Sequence, residues 1–183
     1  MSIWEYLQHE RSVPIKNELR NGRLYPMGPF DFTHCLLNTN TTAAIGSVLK
    51  GKTPQCLGSG MRIWVQKTGL FTYADATIIT DSVEVADDGH RDNLINPSVI
   101  IEITSPTSQK YDAGEKFELF QGLNSFIEYI LVSHDRPRVE CRRLSNRGVW
   151  ECDSVEGIDA SFSIQSVAVS LTLNDIYDKV DLN

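Results

Sequence analysis

Apolar residues fall at two different spacings along the chain, and each spacing predicts its own kind of element. Near the start, Trp4 and Leu7 lie about one helical turn apart behind a Ser2-x-x-Glu5 capping box, which predicts a short amphipathic helix that Pro14 ends. Gly22 to Met27 reads as a short strand between turns. From about His34 to Lys50, Leu36, Leu37, Ala43, Ala44, Ile45, Val48 and Leu49 recur at roughly helical spacing, predicting a second helix capped by Thr33 and closed by Gly51. The rhythm then becomes alternating: Met61, Ile63 and Val65 against Arg62, Trp64 and Gln66, a turn at Gly69, and a second run from Phe71 to Thr80 with Asp75 early in it. A polar stretch separates these strands from Pro97-Ser-Val-Ile-Ile-Glu-Ile-Thr104, whose β-branched, apolar run reads as a strand covered on both faces. A helix from about Asp112 to Gly122 follows, then a buried strand from Phe126 to Val132, a hairpin turning at Ser145-Asn-Arg147, and an apolar segment from Phe162 to Leu173 with a last helical turn. This order predicts an α/β (α+β) sandwich: a mixed sheet with a crossover helix inside it.

One residue breaks the apolar pattern. An ionised carboxylate at Glu102, inside a strand buried on both faces, is costly unless a cation or a metal compensates it. Asp75 is a second acid near a strand expected in the same sheet. Two hard carboxylates, with water and backbone carbonyls such as that of Ile103 completing the shell, are what Mg²⁺ asks for. Lys116, one helical turn after Asp112, could point back across the sheet and orient or deprotonate an attacking water.

Composition narrows the picture. The length of 183 residues fits one domain, 1–183, and 41% hydrophobic with 22% charged residues is the balance of a folded protein. Nothing at the start of the chain reads as a leader, and no run of about 18 apolar residues predicts a membrane span. Cys35, Cys56, Cys141 and Cys152 are scattered without a C-x-x-C pair, so they read as free thiols in a reducing cytoplasm. A net charge of −7 argues against non-specific coating of nucleic acid. A local basic face is still available at Arg136, Arg138, Arg142, Arg143 and Arg147. Gly46 to Thr53 fits the phosphate-loop pattern literally, but a helix precedes it and Pro54 follows, the reverse of the strand-then-helix setting that motif needs.

Four stretches carry a resemblance: Tyr73-Ala-Asp-Ala-Thr-Ile-Ile79, Asn96-Pro-Ser-Val-Ile-Ile-Glu-Ile-Thr-Ser-Pro-Thr107, Tyr111-Asp-Ala-Gly-Glu-Lys-Phe-Glu-Leu-Phe120 and Glu128-Tyr-Ile-Leu-Val132. Together they resemble the Uma-type restriction-endonuclease family of the PD-(D/E)XK nuclease superfamily, most strongly from Tyr73 to Arg143. The resemblance implies a restriction-endonuclease-like mixed central sheet flanked by helices, and cleavage of phosphodiester bonds in DNA with Mg²⁺ or Mn²⁺. It gives Asp75 the role of the motif aspartate and Glu102 that of the second acid. Thr104 stands where the motif lysine normally falls, and Lys116 resembles a migrated replacement. His34 matches a histidine often found at the start of the first core helix. Arg23 stands where relatives often carry a glutamate, so one accessory acid is missing. The superfamily also makes a homodimer an expectation.

Each of these residues has a plainer reading. Asp75 fits a strand-end turn, and Glu102 with Lys116 fits a structural ion pair. Asp112 and Glu115 fit a cap for their own helix, and His34 fits a packed histidine. A non-catalytic binding or assembly protein on the same fold is therefore the rival expectation.

Overall fold

The computed structural model describes residues 1–182, so Asn183, the last residue of the expected 1–183 domain, lies outside the described residues. In chain order the elements are α1 (Ile3–Ser12), β1 (Asn17–Arg20), β2 (Arg23–Pro26), α2 (Phe32–Leu49), β3 (Gln55–Gly58), β4 (Arg62–Val65), β5 (Leu70–Tyr73), β6 (Ala76–Ile79), β7 (Asn93–Leu94) and β8 (Val99–Thr104). A helical segment follows in three pieces, α3 (Gln109–Tyr111), a π-helical turn (Asp112–Lys116) and α4 (Phe117–Phe120). Then come β9 (Glu128–Ser133), β10 (Arg138–Leu144), β11 (Trp150–Glu156), β12 (Ser161–Ile164), β13 (Val169–Thr172) and α5 (Leu173–Ile176). The mixed α+β class and the crossover helix expected from the sequence are present.

Among the described residues the strands form sheets of five (β2-β1-β5-β4-β7), six (β11-β10-β9-β8-β6-β3) and two (β12-β13). The expected second strand from Phe71 to Thr80 is in fact two. β5 belongs to the five-stranded sheet and β6 to the six-stranded one, and Ala74-Asp75 is the joint where the chain changes sheets. Asp75 therefore sits between strands rather than early in one.

β8 runs through the middle of the larger sheet, antiparallel to β6 and parallel to β9, with the helix over 109–120 as the crossover between the parallel pair. Alternation along β8 divides its side chains between two cores. Val99, Ile101 and Ile103 face α2, α5 and the β12-β13 hairpin. Ile100 faces the other way, against Val65, Leu70, Phe120 and Tyr129. Glu102 follows Ile100 on that second face, beneath the helix that carries Lys116. The strand is buried at all six positions, as its composition predicts.

The Ser2–Glu5 capping box of α1 is present in full. The cap of α2 is Asp31 rather than Thr33: its side chain accepts from the His34 N–H at 2.8 Å, and the helix starts at Phe32. Asp112 is not a cap either. It lies within the continuous helical segment, buried, and the π-turn that begins there closes on Lys116. The four cysteines are free thiols. No helix among the described residues is long and apolar enough to cross a membrane.

Candidate active site

Burial makes Glu102 the energetic centre of the larger sheet's second face. Loss of water raises its pKa well above the ordinary carboxylate value, and the nearby Asp112 and Asp75 push in the same direction. Lys116 opposes them, with Nζ 2.7 Å from Glu102 Oε1. The distance is that of an ion pair, but the angles fall outside hydrogen-bond geometry, so Oε1 has no aligned donor. Burial alone would lower the Lys116 ammonium; Glu102 and Asp112 outweigh it and hold its pKa above the ordinary lysine value. At 3% exposure Lys116 points into the protein, not to solvent.

Four residues apart, Asp112 and Lys116 share one side of the helical segment, and both are buried. A single wide turn displaces the register of the helix face, and such turns recur at functional sites. Here the π-turn spans Asp112 to Lys116, with Nζ 3.9 Å from Asp112 Oδ1 and 3.4 Å from the Tyr73 carbonyl. Burial raises the Asp112 pKa and Lys116 pulls it back. The Tyr129 hydroxyl, donating to the Asp112 carbonyl at 3.0 Å, ties the turn to β9.

Asp75 reaches this face from the joint between sheets. One step beyond the pair Ala76↔Ile101, the antiparallel register sets Asp75 against Glu102, and opposed residues share a face. Its Oδ1 lies 2.7 Å from His34 Nε2 and accepts from Asn38 Nδ2 at 3.1 Å. Its Oδ2 accepts the Ile103 N–H at 2.8 Å. Ile103 therefore holds Asp75 through its amide, a contact separate from the carbonyl expected as a metal ligand. His34 is fixed in turn by the hydrogen bond its backbone N–H donates to Asp31 Oδ1 and by the Phe30 ring stacked on it, with centroids 4.1 Å apart.

Asp75, Glu102, Ile103, Lys116 and His34 all line one cavity of about 510 Å³. The structure adds residues the sequence reading missed. Asn38, one turn after His34 on α2, gave no signal because a helix asparagine is unremarkable until its partner is known. Glu18 on β1 also lines the cavity, accepting from Thr72 Oγ1 at 2.7 Å and from the Tyr111 hydroxyl. The β1 strand itself was not predicted, so its buried acid had no context. Arg23, by contrast, lies outside this cavity's lining.

The arginine face expected between Arg136 and Arg147 is largely committed to the protein's own carboxylates. Arg142 bonds Glu140 at 2.8 Å and the Ala113 carbonyl at 2.7 Å, its guanidinium lying over Phe117. Arg143 bonds Glu128 at 3.0 Å and Asp153 at 2.8 Å, and Arg138 approaches Glu140 at 3.4 Å. Hairpin pairing brings acids from β10 and β11 beside these arginines, which the linear spacing did not reveal.

A divalent cation fits the donor set in one form. Among the described residues no three His, Cys, Asp or Glu side chains are grouped as a ready-made cage. Two carboxylates, one with an oxygen lacking an aligned donor, suit instead a hard cation that keeps most of its water, as Mg²⁺ does.

Comparison with known proteins adds the family. Two proteins of Synechocystis sp., both described as uncharacterized, are similar along most of their length. One, slr1290, is 24% identical over 177 residues, covering 97% of this chain and 91% of the relative. The other, sll1609, is 26% identical over 165 residues, covering 90% and 93%. A crystal structure from Anabaena variabilis, described as a "putative nuclease belonging to DUF820", shares the fold with a TM-score of 0.76 at 19% identity, covering 97% of each chain. Residues 3–174 match the model of the Uma2 family, described as "putative restriction endonuclease", and the chain belongs to that family.

Proposed function

We propose that the protein is a divalent-metal-dependent nuclease that hydrolyses phosphodiester bonds in DNA. The convergence of Asp75, Glu102 and Lys116 on one cavity carries the reading. Asp75 and Glu102 would hold Mg²⁺ or Mn²⁺. When bound, such an ion supplies Lewis-acid charge to a phosphate oxygen and makes water a better nucleophile at neutral pH. The chain's own residues contribute orientation and charge. His34, Asn38 and the Ile103 amide fix the Asp75 carboxylate in one rotamer. Lys116 opposes the burial that favours the protonated form of Glu102 and presents an ammonium that can orient a water or meet charge growing on a phosphate oxygen. Asp112 and the Tyr73 carbonyl hold that ammonium in place.

The test uses purified protein with Mg²⁺ or Mn²⁺ on plasmid, linear duplex and single-stranded DNA. Cutting that is lost in Asp75→Ala and Glu102→Ala supports the proposal; no cutting of any form, or cutting unchanged by both substitutions, defeats it. A second reading rests on the 2.7 Å Glu102–Lys116 contact itself. If that pair is purely structural, the protein is a non-catalytic binding or assembly module. Calorimetric titration separates the two: a structural pair binds neither ion, whereas a metal site binds Mn²⁺ and loses affinity on Glu102→Gln.

A further inference from the structure

The mouth of the cavity has a chemistry that the cleavage site does not use. Five carboxylates line the cavity, Glu18, Asp31, Asp75, Glu102 and Asp112, against three permanent cations, Lys16, Arg20 and Lys116. The cations are outnumbered, and each already has a partner within the protein. Lys116 is committed to Glu102, and Lys16 donates to the Ser59 carbonyl at 2.5 Å. Arg20 is held between two aromatic rings, 4.3 Å from the centroid of Tyr25 and 4.2 Å from that of Tyr111. A phosphate backbone, duplex or single-stranded, meets poor electrostatics here, so affinity has to come from another source.

Aromatic faces are what the mouth does offer. Phe30 is 46% exposed although it lines the cavity, with one face of its ring stacked on His34. Tyr25 also lines the cavity and is 37% exposed. Solvent-facing rings beside a hydrolytic centre are costly to keep wet and suit a ligand with flat, accessible π-faces. Bases in a duplex are already stacked on one another, so only unpaired bases can use such platforms.

We infer that the cavity takes an unpaired nucleic-acid strand, with one base stacked on Phe30 and a neighbouring base on the exposed face of Tyr25, whose other face is backed by Arg20 and Tyr111. The inference rests on the nuclease reading for the identity of the ligand and deepens it by naming the substrate class. Stacking then supplies the affinity that elsewhere comes from phosphate contacts, and the dependence on salt is shallow. His34, backed by the same Phe30 ring, ties base recognition to the orientation of Asp75.

The experiment compares a labelled mixed-sequence single strand of about twenty nucleotides with its blunt duplex, a length that exceeds the site of one small binding domain. Binding is read by fluorescence anisotropy in Ca²⁺, and cutting by gel in Mg²⁺ or Mn²⁺. The single strand is expected to bind at least about tenfold more tightly than the duplex, and Phe30→Ala to lose roughly tenfold, near the low end for one base–aromatic stack. Phe30→Trp should keep the preference. Phe32→Ala serves as the control, because that ring is 80% exposed but lies outside the cavity. Duplex binding as tight as single-strand binding, no binding to either, or Phe30→Ala and Phe32→Ala behaving alike would each overturn the inference. The two readings fail differently: tight single-strand binding without cutting removes the nuclease and keeps the platform, while cutting of duplex without single-strand preference does the reverse.

Discussion

Replacing Lys116 with methionine isolates the electrostatics of the site. The substitution keeps a long apolar side chain and removes the cation 2.7 Å from Glu102. At that distance, with an effective dielectric of about 20, the attraction is roughly 6 kcal/mol before the desolvation of both groups is subtracted. Breaking a buried pair while leaving one charge behind typically costs about 3–5 kcal/mol. Glu102 can escape that cost by keeping its proton. Its pKa, already raised above the ordinary 4.5 by burial, rises further when Lys116 no longer opposes it. Between the wild type's raised value and the variant's still higher one, the folded variant holds a proton that wild type has released, so its stability falls relative to wild type as pH rises through that window. Each pH unit inside the window changes the balance by up to about 1.4 kcal/mol per group, and Asp112, whose pKa is also raised, adds to the same slope. Urea unfolding at about pH 5.5 and about pH 7.5 measures this, and the gap between wild type and Lys116→Met should widen by up to about 3 kcal/mol per group at the higher pH. Adding Glu102→Gln should flatten most of the slope. A gap that stays constant across the two pH values, or a slope that persists undiminished in the double variant, would refute the claim that Lys116 opposes protonation of Glu102.

Other outcomes follow from neighbouring contacts. Asp75→Asn should abolish Mn²⁺ binding by calorimetry and lower cutting by at least about a hundredfold, the size of effect expected when a group supporting transition-state charge is lost. Because Asp75 also accepts from Asn38 and the Ile103 amide, its melting temperature should fall as well. Arg143→Ala removes one partner of the nearly fully buried Glu128, which keeps bonds from the Gln165 and Ser166 amides and the Ser166 hydroxyl. It should therefore cost about 1–3 kcal/mol in urea midpoint and leave nucleic-acid affinity within error, whereas a large loss of affinity would restore the arginine face as a contact surface. Gly122→Ala would place a methyl 2.8 Å from Val65 Cγ1 and 2.9 Å from Thr68 Cγ2, an overpacking that should destabilise by about 1–3 kcal/mol in thermal unfolding without altering Mn²⁺ binding.

Local signals carried much of the fold because they are written in neighbouring residues. The capping box at Ser2, the apolar run of β8, and the hairpin turning at Ser145 to Arg147 depend on spacings of two to four residues, and all three are present. The alternating run after Gly69 misled, since residues 70–73 and 76–79 have one strand-like pattern while belonging to two sheets. Nothing in residue type marks where a strand leaves one sheet for another. The cap of α2 shifted to Asp31 for a related reason: several polar residues there could cap, and the bond to His34 selects one.

The sequence by itself determined that an acid had to be buried in β8 and that a helix bearing Lys116 had to follow it, because burial of a β-branched strand and the crossover between parallel strands are dictated by composition and chain order. Tertiary structure alone decided which charges meet. The register of β6 on β8 sets Asp75 against Glu102, the packing of the 109–120 helical segment over β8 buries Lys116 and Asp112, and the first helix of the core supplies His34 and Asn38. It also turned the arginines of the β10-β11 hairpin toward their own acids and left Phe30 and Tyr25 at the mouth of the cavity. These contacts join residues tens of positions apart, and their energies depend on burial and distance, which exist only once the chain has folded.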